Sequence, residues 1–321
     1  MKKPQIVFLD TSTLHNGELD FGELEKLGDL TCYKETSPNE VIGRCKGAHT
    51  VISNKVILNH ELMKACVSLK QIISCATGVN QIDLDGAKEC GITVQNVAGY
   101  STDSVAQHVW SLILNLSTNT HQLYEESKAW SEFSIFTTLK YPIFEVQGKT
   151  LGIVGLGEIG KKVVMIARAF GMNVQALSRG GKEEISSCGV NKLPAGLFYS
   201  SSDIVSLHCP LTEDNEKMIS SEVLGLMKKT AMLINTARGP LIDESALVKA
   251  LEDGEIFAAG LDVLSTEPPE KENPLVCYQG KNLLITPHTA WSSIEARRVL
   301  LQGIVRNIET YFGGSPANQI C

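Results

Sequence analysis

The sequence predicts an α/β protein built from two doubly wound parallel sheets. Short apolar runs alternate with amphipathic stretches through the first part of the chain, the pattern of βαβ crossovers. The alternation restarts at Leu151 and runs to Pro287. Between the blocks lies one long stretch of helical period, 102–130, strongly apolar over Val105–Leu116. A length of 321 residues suits about two domains. With 43% hydrophobic and 20% charged residues, the chain can bury sizeable cores and is too apolar for disorder.

In the first block the expected strands are QIVFLD (5–10), TVIS (50–53), QIISCA (71–76) and ITVQN (92–96). Helical stretches fall at 59–69 and 83–91, with Gly91 placed to end the second. The stretch 102–130 predicts one long helix, with Thr102 or Asp103 as its cap. Its apolarity requires burial in a core, a domain junction or a subunit interface. The second block predicts strands at 151–154, 174–178, 204–208, 231–235, 257–263 and 283–287. Helices are expected at 158–170, from about Ser221, and at 243–253, where Asp243 can cap the start and Gly254 follows the end. A last amphipathic helix runs from about Ser292 to Phe312. The crossing helix and this last one suggest a discontinuous plan. A domain at 102–289 is inserted into a domain made of 1–101 and 290–321.

A net charge of −7 and the lack of any Lys/Arg run argue against nucleic-acid binding, which needs a basic face. No apolar run approaches the length of a membrane span. The opening MKKPQIVFLD reaches Asp10 too soon for a signal peptide and reads as the first strand. The nine cysteines form no C-x-x-C pair and no zinc-like cluster with histidine, so no metal site is expected. They read as free thiols in a reducing, cytoplasmic compartment.

The stretch LGIVGLGEIG carries Gly155, Gly157 and Gly160 in the spacing G-x-G-x-x-G. Alone the pattern is weak, but here an apolar strand leads into it and a helix follows. The glycines then serve a tight turn, close backbone approach to a pyrophosphate, and helix–sheet packing. The helix start adds unpaired N–H groups and the positive end of its dipole. The predicted ligand is NAD(H) or NADP(H). An NAD-preferring site usually has a carboxylate at the end of the next strand, where this chain has Ser178 and then Arg179. Either Arg179 binds a 2′-phosphate, so that NADP(H) is accepted, or it points into solvent and NAD binds without the acidic contact.

Hydride transfer to a carbonyl needs an acid for the nascent alkoxide and a cation to polarise the carbonyl. It also needs a group that keeps the acid protonated. Arg238, Glu267 and His288 each follow a predicted strand of the second block, at the sheet edge that carries the glycine loop. His288 can serve as acid or base near neutrality. An adjacent Glu267 would raise its pKa and fix its ring. Arg238 can bridge a carboxylate and the reacting carbonyl, which suits a 2-oxo acid.

The sequence resembles the D-isomer-specific 2-hydroxyacid dehydrogenase family over nearly its whole length. The resemblance rests on ATGVNQIDLDGAKECGITVQN, GYSTDSVAQHVWSLIL, GKTLGIVGLGEIG, LHCPLTEDN, INTARGPLIDESAL, GLDVLSTEPP and TPHTAW. It implies a homodimer of two-domain, cleft-closing subunits, each with Rossmann-like or flavodoxin-like domains and the cofactor domain inserted into the substrate domain. The family's catalytic Arg, Glu and His fall on Arg238, Glu267 and His288. Its loop for the substrate carboxylate falls on Thr77, Gly78 and Val79, and Asn54 matches a residue near the substrate. Glu158 and Ile159 match the pyrophosphate turn, and Ser178 the adenine ribose. Cys209, Thr236, Ala237 and Asp262 match positions along the adenosine and nicotinamide, where Thr77, Arg238 and His288 also border the cofactor. Asp262 would face the carboxamide or, failing that, cap a strand end. Trp291 would cover the substrate side of the pocket or pack at the domain junction.

YSTDSVAQH and PHTAWSSIEAR give the sequence the look of the glycerate dehydrogenase, or hydroxypyruvate reductase, branch. That branch implies reduction of hydroxypyruvate or glyoxylate to the D-2-hydroxy acid. Other 2-oxo acids remain open as substrates, because small apolar differences discriminate weakly. Gln107 stands where the family often has Glu, and the sequence ends without the regulatory domain of long phosphoglycerate dehydrogenases. Formate dehydrogenases share the fold but use Gln where this chain has Glu267. A nucleotide-sensing protein like the related corepressors is a further alternative, which the triad does not exclude.

Overall fold

The computed structural model describes residues 3–321; Met1 and Lys2 of the opening stretch lie outside the described residues. The chain divides into two compact units. One comprises the residues up to Ser101 together with Ser292–Cys321, the other Thr102–Trp291. The second is continuous in sequence and interrupts the first.

In the first unit, β1 (Gln5–Phe8), β2 (Asp29–Cys32), β3 (Thr50–Ser53), β4 (Gln71–Ser74) and β5 (Thr93–Gln95) form a parallel sheet. The order β2-β1-β3-β4-β5 is flavodoxin-like, with its switch point between β1 and β3. β3 and β4 are buried at every residue, as strands covered on both faces must be. β2 was not expected. Its DLTC sequence is a mostly exposed edge strand with no apolar run to mark it. The helices expected at 59–69 and 83–91 are shorter, His60–Ala65 and Leu84–Glu89. Asn59 and Asp83 set their starts by accepting from Leu62 N and Gly86 N.

The last helix, Ile294–Phe312, returns to this sheet and is capped by Ser293. A buried amide network holds it there. Gln71 Nε2 donates to Gln95 Oε1 at 2.6 Å and to Asn307 O at 3.1 Å, and Asn307 Nδ2 donates to Asn96 O at 2.8 Å.

The second unit contains β6 (Thr150–Val154), β7 (Asn173–Leu177), β8 (Glu184–Ile185), β9 (Asn191–Leu193), β10 (Ile204–Leu207), β11 (Met232–Asn235), β12 (Ala258–Leu261) and β13 (Leu283–Ile285). The sheet order is β13-β12-β11-β10-β6-β7-β9-β8, parallel except for β8 against β9. Without β8, the strands in chain order read as the Rossmann arrangement, which switches between β6 and β10. Residues alternate between two cores along each strand. Leu151 and Ile153 join one cluster with Val109 and Val163, while Val154, Val205 and Leu233 join the other with Leu247. Short, polar β8 and β9 gave no apolar signal and were not expected.

The single helix expected over 102–130 is two helices, Thr102–Thr118 and Thr120–Ser127. Asn119 breaks it by adopting φ +50°, a left-handed conformation that Asn tolerates, and its Nδ2 donates to Pro142 O. The apolar face of Thr102–Thr118 lies within this unit's own core, through Val105, Val109, Ile113 and Leu116. The unit also reaches past residue 289, because Ala290 is buried with its N–H on Asp262 Oδ2 and Trp291 packs on the same cluster.

Candidate active site

The glycine loop joins β6 to helix Glu158–Ala169. Gly155 takes φ +102°, and a Cβ there would lie 2.7 Å from His208 O. A Cβ on Gly160 would lie 2.2 Å from Gly155 O, so helix and loop can meet only at glycine. At Gly157 a Cβ would meet nothing within 4 Å. Gly157 is also the helix N-cap, and no side chain caps it. The first N–H groups of a twelve-residue helix, at the sheet's switch point, therefore have no side-chain cap and no hydrogen-bond partner among the described residues. Glu158 is exposed and pairs with Lys161 at 2.9 Å, and Ile159 packs partly against the core.

Around this loop, Ser178 is buried, with its N–H on Leu193 O at 2.9 Å. Arg179 is exposed and makes no hydrogen bond or ion pair with a described residue. Its charge nonetheless acts on the thiol of Cys209: burial pushes that thiol up, against the opposing pull of a backbone N–H and of Arg179. His208 is partly exposed yet closely surrounded, and desolvation takes its imidazole down to about 4. The Thr236 hydroxyl is buried without a hydrogen-bond partner among the described residues. An uncapped helix start, an open glycine and an orphaned hydroxyl fit a nicotinamide dinucleotide.

Three loops at the carboxyl ends of β11, β12 and β13 carry the expected chemical groups. After β11, Asn235 staples the turn, taking Ala237 N at 2.9 Å and giving Nδ2 to Arg238 O at 2.8 Å. Arg238 is half-buried, with Nη1 on Ala237 O at 2.6 Å, and no described carboxylate pairs with it. After β12, Glu267 Oε1 accepts from Leu264 N at 3.1 Å. Its Oε2 lies 2.5 Å from His288 Nδ1. The structure thus brings Glu267 and His288 together, each about a third exposed, at 31% and 32%. This contact places a proton on Nδ1 and leaves Nε2 for a substrate.

Asp262 is 1% exposed and caps the turn around His288. Its Oδ1 accepts from Thr286 Oγ1 at 2.6 Å and Thr289 N at 2.9 Å, and its Oδ2 from Ala290 N at 2.9 Å.

Two supporting residues escaped the sequence reading. A Cβ on Gly239 would lie 1.9 Å from the Leu264 carbonyl carbon, so this glycine lets the Arg238 turn touch the Glu267 loop. Glu244 straps that loop, accepting from Ser265 N and Asn273 Nδ2, both at 2.7 Å. Neither has a signature beyond lying a few residues after a strand.

In the first unit, Asn54 N and Lys55 N donate to the carboxylate of Asp10 across the β1/β3 switch point. Burial raises the Asp10 pKa against these backbone bonds. The side-chain amide of Asn54 bonds to no described residue. The loop after β4 is pinned through its carbonyls: Asn96 Nδ2 donates to Thr77 O at 2.7 Å and Ser74 Oγ to Gly78 O at 2.6 Å. The N–H groups of Thr77, Gly78 and Val79 donate to no described residue. They are placed to receive an anion.

The fold and these sites define an NAD(P)-dependent oxidoreductase. The profile of the D-isomer specific 2-hydroxyacid dehydrogenase NAD binding domain matches residues 110–290. A Haemophilus influenzae protein assigned to the 2-hydroxyacid dehydrogenases is 41% identical, over 96% of this chain and 98% of its own. A hydroxypyruvate reductase from Blautia hydrogenotrophica is 37% identical, over 98% and 99%. Among solved structures, an acyclic imino acid reductase in complex with NADPH and D-Arg superposes with a TM-score of 0.86 at 31% identity, covering 99% of this chain and all of its own. The chain belongs to the D-isomer specific 2-hydroxyacid dehydrogenase family. Its reaction is the NAD(P)H-dependent reduction of a 2-oxo acid.

Proposed function

We propose that this enzyme reduces hydroxypyruvate or glyoxylate to the D-2-hydroxy acid and that it accepts NADPH. The observation that carries the chemistry is the His288–Glu267 contact in the same unit as an unpaired Arg238 and an open glycine loop.

The bound nicotinamide supplies the hydride. His288 gives the Nε2 proton to the nascent alkoxide in reduction and takes it back in oxidation. Glu267 holds the opposite ring nitrogen, fixing the tautomer and stabilising imidazolium when it forms. Arg238 polarises the carbonyl and engages the carboxylate. The N–H groups of Thr77, Gly78 and Val79 bind that carboxylate, with Asn54 nearby, and Trp291 covers the substrate. Gly155, Gly157, Glu158, Ile159 and Gly160 take the pyrophosphate, and Ser178 and Arg179 the adenosine end. Cys209, Thr236, Ala237 and Asp262 line the remainder, Asp262 also holding the turn described above. NADPH use is supported by the absence of a carboxylate at Ser178, by the free guanidinium of Arg179, and by the NADPH of the solved relative.

The enzyme is further proposed to be a cytoplasmic homodimer. The buried face of Thr102–Thr118 does not support the dimer, but the segment after it does. Trp130, Ile135, Phe136, Leu139 and Ile143 are all at least 58% exposed, a run of apolar surface that a second copy would cover. A monomer by light scattering would remove this part. All nine cysteines are free thiols, which supports a reducing compartment.

The test is the initial rate of nicotinamide oxidation with hydroxypyruvate, glyoxylate and pyruvate, each with NADH and NADPH, for the wild type and His288→Ala. Turnover of hydroxypyruvate or glyoxylate that the variant loses is expected. Faster turnover of pyruvate than of either would reject the substrate assignment. Tight nucleotide binding without turnover of any 2-oxo acid would favour a sensing protein.

A further inference from the structure

We propose that His108 is a positioning residue for His288, acting through Thr286 and Asp262. The inference rests on the proton-donor role given to His288 above. His108 sits on helix Thr102–Thr118, between Ala106 and Val109, which are wholly buried in the core of the unit. The helix is therefore a rigid base for its side chain.

The hydrogen bonds have a direction. The Thr286 hydroxyl has one proton and lies 2.6 Å from Asp262 Oδ1, which as a carboxylate can only accept. His108 Nε2 lies 2.9 Å from Thr286 Oγ1, so the imidazole must be the donor there. The same nitrogen is 3.5 Å from Asp262 Oδ1. His108 thus faces a nearly inaccessible carboxylate with an N–H and completes the shell around it.

That carboxylate governs the presentation of His288. It holds Thr289 N and Ala290 N, immediately after the histidine. His288 itself adopts φ +52°, a left-handed conformation costly for a residue with a Cβ. Its own N–H is held by Asp262 O at 2.8 Å and Thr286 O at 3.0 Å. Both residues that keep the turn left-handed are therefore residues that His108 contacts. With the donor gone, Thr286 Oγ1 loses a partner and the Asp262 carboxylate a neighbouring N–H. The turn can then relax, and the ring of His288 swings from Glu267. His108 makes no contact with His288 or Glu267 in this network, so it tunes geometry and does not exchange the reaction's proton.

The experiment uses the full chain with His108→Leu, which removes the donor, and His108→Gln, whose amide can replace Nε2–H. The Leu variant is expected to lose roughly tenfold in kcat, because small displacements of a reacting group are costly. Its KM for the nicotinamide nucleotide should change less than kcat, because Asp262 borders only the nicotinamide end. The Gln variant should recover most of the loss. Thr286→Val, which keeps His108 but removes the linking hydroxyl, should reproduce the defect and serves if the Leu variant does not fold. In 15N NMR of the nucleotide-free protein, the His288 ring, assigned with His288→Ala, should pass from one tautomer to a mixture in the Leu variant. Unchanged kcat and an unchanged His288 spectrum would overturn the proposal. So would equal losses in the Leu and Gln variants that follow a common fall in Tm. If the wild type reduces no 2-oxo acid, the proposed reaction fails, while the NMR comparison still decides the role of His108.

Discussion

Gly239→Ala should damage catalysis without touching a catalytic side chain. Gly239 opens the short turn Gly239–Leu241 directly after Arg238. A methyl there would lie 1.9 Å from the Leu264 carbonyl carbon, 2.0 Å from its oxygen and 2.4 Å from Ser265 N. These are backbone atoms, so no rotamer change relieves the clash. Either turn must move by about 1.5 Å to bring the 1.9 Å approach out to an ordinary contact of 3.4 Å. The Leu264–Ser265 peptide cannot yield alone, since Leu264 N holds Glu267 and Ser265 N is held by Glu244. The displacement reaches Glu267, whose contact with His288 is only 2.5 Å long. A misplacement of about 1 Å costs on the order of 100-fold in rate, or about 2.7 kcal/mol of transition-state stabilisation. Overpacking adds about 1–3 kcal/mol of lost stability. Steady-state kinetics, nucleotide titration and a thermal melt on the same preparation separate the effects. The variant should lose kcat by more than it loses nucleotide affinity, and melt earlier. A kcat within about threefold of wild type at an unchanged Tm would refute the coupling between the two turns.

Other positions test other parts of the structure. Gly157→Ala meets no neighbour within 4 Å, so its Tm should hold while nucleotide affinity falls at least roughly tenfold; unchanged affinity would mean that no phosphate approaches this residue. Arg179→Ala should raise KM for NADPH more than for NADH, and equal changes would show that its guanidinium does not meet a 2′-phosphate. His208, held down to about 4 by burial against about 6.5 when unfolded, binds its proton more readily in the unfolded chain. Its contribution is therefore complete above about pH 6.5 and declines as pH falls toward 4, by at most about 2–3 kcal/mol given its partial exposure. Denaturation midpoints of the wild type and His208→Gln should converge over that window, and a constant gap would sink the assignment. Asn307→Ala should cost about 1–3 kcal/mol by orphaning the Asn96 carbonyl and the Asn318 side-chain amide, measurable as a lower urea midpoint at unchanged m.

The fold was legible wherever burial writes itself into the sequence. β3, β4, β10 and β11 are buried at every residue and stand in the sequence as apolar runs. The exposed edge strands β2, β8 and β9 carry no such run, since an edge needs only backbone pairing. The break at Asn119 was hidden because it interrupts a polar stretch where helical period is weak. At the site, types and strand ends suffice to propose Arg238, Glu267 and His288, and the structure brings Glu267 and His288 together. The residues that hold them were not legible. Gly239 matters because Leu264 lies against it, and Leu264 is 25 residues away only in sequence. The same is true of Glu244 against Ser265 and His108 against Thr286.

This division has a physical cause. Residues that do chemistry need particular functional groups, and few side chains supply them, so their identity is informative by itself. Residues that hold the chemistry need only fit a neighbour that the fold brings close. In this unit the Arg238, Glu267 and His288 loops come from three adjacent parallel strands, β11, β12 and β13. Adjacent strands end side by side, so each loop can brace the next. Gly239 lets the first touch the second, and Asp262, at the end of the second strand, caps the third. The proposed catalytic geometry is thus shared among three turns. Perturbing any one brace should lower kcat more than nucleotide affinity, because the phosphate-binding glycine loop leaves a different strand, β6, on the far side of β10, and only the nicotinamide end borders these turns.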